Sequence, residues 1–244
     1  MPISPIDRIR LDKAAVDQGF GLTRPEDGDW LVYEGLGTPA IIRMTAQDGH
    51  YIVAVNHTGV VTDLAQRWTR WGNAAFSVDD TGPLHQLVGE IRRLARALPH
   101  EPLRKFEAET QALPRTTEAQ RMVVQRIGQN IFREALQGYW GDCCAVTGVT
   151  HRDLLRASHI VPWAACETDA ARLDVYNGLL LAAHLDAAFD AGLISFAEDC
   201  RILFSPELPQ PDRHALGLND AMRLRQLAAG HLKNLAWHRA NVFL

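Results

Sequence analysis

No stretch of this 244-residue chain approaches the roughly 18 consecutive apolar residues that a membrane helix needs, so a membrane-spanning protein is not expected. Residues 1–10 lack the basic-then-apolar layout of a secretion signal, which makes a cytoplasmic protein the default expectation. Cysteine is scarce and poorly spaced. Cys143, Cys144, Cys166 and Cys200 include an adjacent pair and no Cys-x-x-Cys, so neither a disulfide framework nor a zinc ribbon is spelled out, and they read as small buried apolar groups. An excess of positive charge is missing too. A formal net charge of −4 argues against a non-specific nucleic-acid coat. It leaves room for a protein that touches phosphate through a local basic face while its carboxylates hold a metal.

What is present is an ordinary globular composition, 47% hydrophobic and 22% charged, in a length that suits one large domain or two modest ones. Trp30–Tyr33, Ala40–Met44 and Tyr51–Val55 are strand-like runs bounded by Gly, Asp, Pro or Asn, and predict a small antiparallel sheet. Thr62–Trp71 and Pro83–Leu98 show apolar residues at three- and four-residue spacing and predict amphipathic helices; Leu84, Leu87, Val88, Ile91, Leu94 and Leu98 form the second stripe. Pro99, Pro102 and Pro114, with charged residues between them, mark a break, read as a linker over 101–116 between domains at 1–100 and 117–244. Thr117 and Gln120 then have capping-box spacing and open a helix with the stripe Val124, Ile127, Ile131 and Ala135. Arg115, Arg121, Arg126 and Arg133 lie in or beside it. Asp220–Trp237 reads as a further helix, and the tail Val242, Phe243 and Leu244 is expected to dock on the core.

The chemistry concentrates between Cys143 and Phe196. Arg152–Pro162 reads as a short strand with His159 near its end, where Pro162 breaks regular pairing. Trp163–Val175 reads as a loop, Asn177–Leu181 as a second strand or turn, and His184–Ala191 as a short helix. On that helix Asp186 and Asp190 share one face, while Leu185 and Phe189 turn the adjacent face into the core. Phosphodiester hydrolysis needs a base to activate water and a cation to offset charge on the scissile phosphate, and one His beside a carboxylate cluster suits both needs. A Ser158–His159–Asp hydrolase is the weaker alternative: adjacent strand residues point to opposite faces, and the chain has no Gly-x-Ser-x-Gly elbow.

These residues resemble the HNH endonucleases with their ββα-metal finger. The likeness is to the branch that carries Cys-x-x-Thr-Gly, Leu-x-Ala-Ser-His-Ile-x-Pro-Trp, Asn-Gly-x-x-Leu, Phe-Asp and Gly-Leu in that order. Here those are Cys144-Ala-Val-Thr147-Gly148, Leu155-Arg-Ala-Ser-His159-Ile-Val-Pro-Trp163, Asn177-Gly-Leu-Leu-Leu181, Phe189-Asp190 and Gly192-Leu193. Gln125-Arg126-x-x-Gln129-x-x-Phe132-Arg133 also looks like the helix that precedes the finger in this branch. The resemblance covers about residues 117–244, with the finger at about 152–196, and does not reach residues 1–100. It implies a C-terminal ββα-metal finger packed with helices; with the small N-terminal antiparallel sheet plus helices read from the strand and helix patterns, the expected fold class is α+β.

Position by position, the resemblance implies that His159 is the general base and that Asn177 braces the loop holding it. Asp186 falls nine residues after Asn177, where relatives commonly place the last His as a metal ligand, and Asp190 lies one turn further on. Two departures stand out: Ser158 occupies the place where many of these enzymes have an Asp or His ligand, and Asp186 replaces the last His. An all-oxygen set favours Mg²⁺ or Mn²⁺ over zinc, with Ser158 or Asn177 completing the shell through water. His184 is the alternative ligand, on another side of the helix. Thr147 stands where zinc-stapled relatives carry a second knuckle cysteine, so hydrophobic packing is expected there, not a structural zinc. Arg121, Arg126, Arg133 and Arg156 are candidate phosphate contacts.

The implied activity is metal-dependent hydrolysis of phosphodiester bonds in DNA, with a non-catalytic DNA-binding or scaffold protein that keeps the fold as the alternative. Trp30, Tyr33, Tyr51, Trp68 and Trp71 read either as core or as a surface that stacks a base. A target-reading N-terminal domain fused to such a nuclease would resemble modification-dependent restriction or other phage-defence enzymes. A homodimer is compatible with this reading, since a single finger nicks one strand and two cut a duplex.

Overall fold

A computed structural model describes residues 3–114 and 116–244, so Arg115 lies outside the described residues. The fold is α+β and divides into two compact units, Met1–Leu98 and Pro99–Leu244. Among the described residues no helix is long and apolar enough to cross a membrane.

The first unit opens with α1 (Pro5–Asp17), capped by the Ser4 hydroxyl, which accepts from the Asp7 amide, and started by a proline in its first turn. Then come β1 (Leu22–Asp27), β2 (Trp30–Glu34), β3 (Ile41–Gln47), β4 (His50–Val55), α2 (Thr58–Leu64), β5 (Ala75–Val78) and α3 (Thr81–Ala97). The five strands make one antiparallel sheet in sequence order. Register carries the core across it: Leu31 pairs with Met44, Met44 with Val53 and Val53 with Phe76, and all four are buried. Residues one step out of phase form the opposite face, where Ile52, Ala54 and Ala75 cluster under Trp30. The stripe of α3 is fully buried as its spacing predicts, from Leu84 through Leu94.

Two elements here escape the sequence pattern. β1 is exposed along its whole length and contains Pro25, so it has no alternation to read; it sits at the edge, where a proline is tolerated. The helix expected over Thr62–Trp71 instead spans Thr58–Leu64. His57 caps it early through its ring nitrogen, and the following residues return to the sheet, with Arg70 bridging Phe76 and the Ser77 amide bonding the Thr69 carbonyl.

In the second unit the 101–116 stretch is not simply a linker. Glu101–Thr110 forms α4, with Pro102 in its first turn and Phe106 and Thr110 buried, and it packs on α5 (Glu118–Trp140). The Thr117–Gln120 capping box is formed, and α5 ends at Gly141 in the left-handed region. Next come β6 (Leu155–His159), α6 (Asp169–Leu173), β7 (Gly178–Ala182), α7 (Ala183–Asp190), the hairpin β8 (Ile194–Phe196) and β9 (Ile202–Phe204), α8 (Gln210–Ala215) and α9 (Ala229–Asn241). The last helix thus begins nine residues later than Asp220. The residues before it are held in extended pairing, with Met222 accepting from Ile202, the Leu224 amide donating to Cys200 and the Arg225 amide to Ala145. At the tail, the Leu244 amide bonds the Gly192 carbonyl, but its side chain is 61% exposed.

Helix α9 carries a cost that pH exposes. His231 is fully buried among the rings of Tyr139, Trp140 and Tyr176; its Nδ1 accepts from the Ala228 amide, and its Nε2 has no hydrogen-bond partner. Burial pushes its pKa down to about 4. The unfolded chain, with an ordinary histidine near 6.5, therefore binds the proton first as pH falls, so the folded state is fully favoured above about 6.5 and loses stability toward 4. Urea unfolding at pH 7.5 and pH 4.5 is expected to differ by about 2.5 kcal/mol from this group alone. The His231→Gln variant should lose that part of the pH dependence, and an unchanged slope would exclude His231 as its source.

Candidate active site

Strands β6 and β7 pair antiparallel, Ser158 opposite Leu179 and His159 opposite Gly178, and α7 follows β7 directly and packs on both strands. This ββα unit lies against α5 because Gly178 has no side chain. A Cβ there would lie 2.5 Å from Phe132 Cζ and 2.8 and 2.9 Å from the two Leu136 methyls. The close approach puts the Phe132 ring in a stack on His159, centroids 3.8 Å apart and planes within 15°. Trp163 closes the other side, edge-on at 5.6 Å.

His159 Nε2 lies 2.9 Å from the Arg172 carbonyl oxygen. A carbonyl only accepts, so Nε2 carries the hydrogen and Nδ1 keeps its lone pair. Burial holds the pKa of the ring below the ordinary histidine value, against a smaller opposing effect of the Arg172 carbonyl, and this keeps the imidazole neutral.

The segment that carries the acceptor is held by Asn177, which is buried. Its Oδ1 accepts from the Val161 amide at 2.8 Å; its Nδ2 faces the Val161 carbonyl at 3.1 Å, the Ala171 carbonyl at 3.3 Å and Cys166 Sγ at 3.3 Å. The stretch expected as a loop, Trp163–Val175, thus contains a short helix, α6, pinned from below by the amide at the start of β7.

Opposite His159 a cleft of about 330 Å³ is lined by Arg133, Arg156, Ser158, Asp186 and Asp190 among others. The Ser158 hydroxyl donates to Asp190 at 3.3 Å and lowers the pKa of both carboxyls. Desolvation outweighs it and raises both above the usual carboxylate range. Asp186 is also drawn down by the charges of Arg156 and Arg133, whereas Asp190 is raised further by Asp186 itself. Two like charges side by side in a partly dry cleft are the environment that a bound cation relieves.

Not every expected residue reaches the cleft. His184 is exposed and does not line it, and Arg121 and Arg126 lie exposed on α5 away from its lining. Among the described residues no group of three or more His, Cys, Asp or Glu side chains is disposed to hold a metal; the side-chain oxygen donors at the cleft are the carboxyls of Asp186 and Asp190 and the Ser158 hydroxyl. Cys144 is fully buried, and its sulfur accepts from the Val146, Thr147 and Ala182 amides, which keeps the turn before β6 attached to the end of β7. Sequence reasoning missed Arg172 and His238. Arg172 is one of 25 Lys and Arg residues and stands in a stretch without periodicity; His238 reaches the cleft lining only through the position of α9.

Because Gly178 sets the distance between Phe132 and β7, Gly178→Ala is expected to destabilise the second unit by about 1–3 kcal/mol. It should also raise hydrogen exchange at the β6–β7 amides, and unchanged exchange would mean that the aromatic wall yields without cost.

The comparison with known proteins agrees with this geometry over one segment. Residues 144–197 match the family model described as HNH endonuclease, and no curated protein matches the chain. The matched stretch contains β6, the Asn177-braced segment, β7, α7 and β8. Over residues 144–197, therefore, this chain is similar to the HNH endonuclease family.

Proposed function

We propose that the protein is a metal-dependent endonuclease that hydrolyses phosphodiester bonds in DNA, with His159 as general base. The observation that carries this is the tautomer: with Nε2–H on the Arg172 carbonyl, a neutral, half-buried imidazole keeps its lone pair on Nδ1, and the ring lines the same cleft as Asp186 and Asp190. Nδ1 takes the proton of an attacking water, a contribution of about 10²- to 10⁴-fold. Asp186 and Asp190 would hold the ion, with Ser158, hydrogen-bonded to Asp190, orienting that carboxylate. Oxygen donors of this kind fit Mg²⁺ or Mn²⁺, with water and substrate phosphate filling the remaining positions. When bound, such an ion offsets negative charge on the scissile phosphate and on the departing 3′ oxygen. Arg133 and Arg156 contact the flanking phosphates.

The finer reading is a restriction or phage-defence enzyme in which the first unit reads the target and two copies cut the two strands. Its support is the outer face of the first sheet, where Trp30 and Trp71 pair at 6.0 Å and Trp71 is 43% exposed. Tyr33, Tyr51 and Trp68, by contrast, are committed within the unit: Tyr33 bonds Asp12, Tyr51 is buried, and Trp68 bonds Glu90. A non-catalytic DNA-binding role is favoured by one observation, the absence of a third metal-binding side chain of the His, Cys, Asp or Glu type among the described residues.

Digestion of unmodified, base-modified and phage-derived DNA with Mg²⁺, Mn²⁺ or EDTA separates these readings. Cleavage is expected with either ion and not with EDTA, and His159→Ala is expected to lower kcat by about 10²- to 10⁴-fold. Asp186→Asn should weaken the response to added metal, and Arg156→Ala should weaken DNA binding while reducing the salt slope by about one. DNA binding without cleavage of any substrate would support the scaffold role.

A further inference from the structure

We infer that Arg172 is a positioning residue for the reaction, because it holds its own main-chain carbonyl in the place that selects the tautomer of His159. This rests on the reading of His159 as the base.

The geometry of Arg172 is unusual in joining both roles in one residue. Its carbonyl lies in the last turn of α6, a helix of five residues, where main-chain oxygens have no partner within the helix. That oxygen takes the His159 Nε2 hydrogen at 2.9 Å. A single helical turn has little stability of its own, so something else must fix the oxygen. The side chain of the same residue does so. Nε donates to the Trp163 carbonyl at 3.2 Å, Nη2 to the Cys166 carbonyl at 2.5 Å and Nη1 to Asp169 Oδ1 at 2.9 Å, while the guanidinium lies 5.7 Å from the Trp163 ring centroid. Both ends of the segment 163–172 are thereby fastened to one planar group.

Asn177 fastens the same segment elsewhere, through Val161, Cys166 and Ala171. Arg172 is the fastening nearest the oxygen that matters, one peptide beyond Ala171. Three donors in a fixed fork are what Arg offers and Lys does not. With the fork removed, the Arg172 carbonyl is free to turn away, and the imidazole then places hydrogen on either nitrogen. Molecules with hydrogen on Nδ1 have no base facing the cleft, so turnover falls although DNA and metal still bind.

The test uses the full chain with ¹⁵N-labelled histidine, as wild type, Arg172→Ala, Arg172→Lys and Asp169→Asn. Ring ¹⁵N shifts at pH 8 report the tautomer, and His159→Gln identifies its signal among the 10 histidines. Wild type is expected as a single Nε2–H species and Arg172→Ala as a mixture. On plasmid DNA kcat should fall about 10- to 100-fold in Arg172→Ala, with KM and the metal concentration for half-maximal rate nearly unchanged. Arg172→Lys and Asp169→Asn, each of which weakens only part of the fork's contacts, should fall between the two. If Arg172→Ala does not fold, Arg172→Lys decides by the same readouts. A single Nε2–H species retained in the folded Arg172 variants overturns the inference, even if their melting temperature drops. If the wild type cuts no substrate while the Arg172 variants still show mixed tautomers, the nuclease reading fails and the positioning of His159 stands.

Discussion

The organisation of the second unit turns on the fact that a peptide carbonyl can only accept a hydrogen bond. By standing 2.9 Å from Nε2, the Arg172 oxygen decides which nitrogen of His159 is basic, and every other feature around the ring serves that arrangement. Asn177 satisfies both sides of its amide within the segment that carries this oxygen. Phe132 and Trp163 limit the ring to one plane and exclude water from its faces. Even the missing side chain of Gly178 belongs to the set, since a methyl there would push Phe132 off the stack.

On the other side of the cleft the balance is electrostatic. Asp186 and Asp190 are raised by desolvation, and Asp190 also by its neighbour, while one hydroxyl and two arginines pull the other way without overcoming it. Neither carboxylate forms a close ion pair with Arg133 or Arg156; the arginines act at a distance and line the cleft beside them. Arg156 donates from Nη1 to the Asp153 and Leu155 carbonyls, and neither arginine is neutralised by the two carboxylates, so their charge still faces a phosphate, for which the guanidinium geometry is suited. Basic groups and acidic groups in one small cleft thus do not cancel each other.

Much of this was legible in the sequence where one face of an element is buried. The capping box at Thr117 and Gln120, the stripe of α3 and the placement of Asp186 and Asp190 on one side of α7 follow from spacing alone, because helical periodicity is imposed by the core against which each helix packs. The misses share the opposite cause. β1 has no buried face and so no alternation, and the 220–228 segment resembles a helix but is held by main-chain bonds to distant strands that no local pattern records. The prolines around α4 look like a linker, although Pro102 sits where a first helical turn accepts it. Arg172 is hidden for a related reason: its role depends on three carbonyl and carboxylate oxygens that its own short helix and the preceding turn bring together.

The carboxylate pair also bears on whether the cleft is catalytic or only a remnant. A scaffold gains nothing from two acids held against each other in a partly desolvated groove, and replacing either by a neutral side chain would relieve the repulsion. The Ser158 hydroxyl, buried and aimed at Asp190, adds a directed contact that charge relief does not require. On the proposed reading both features have a reason: a cation between the acids would relieve their repulsion and take its remaining ligands from solvent and substrate.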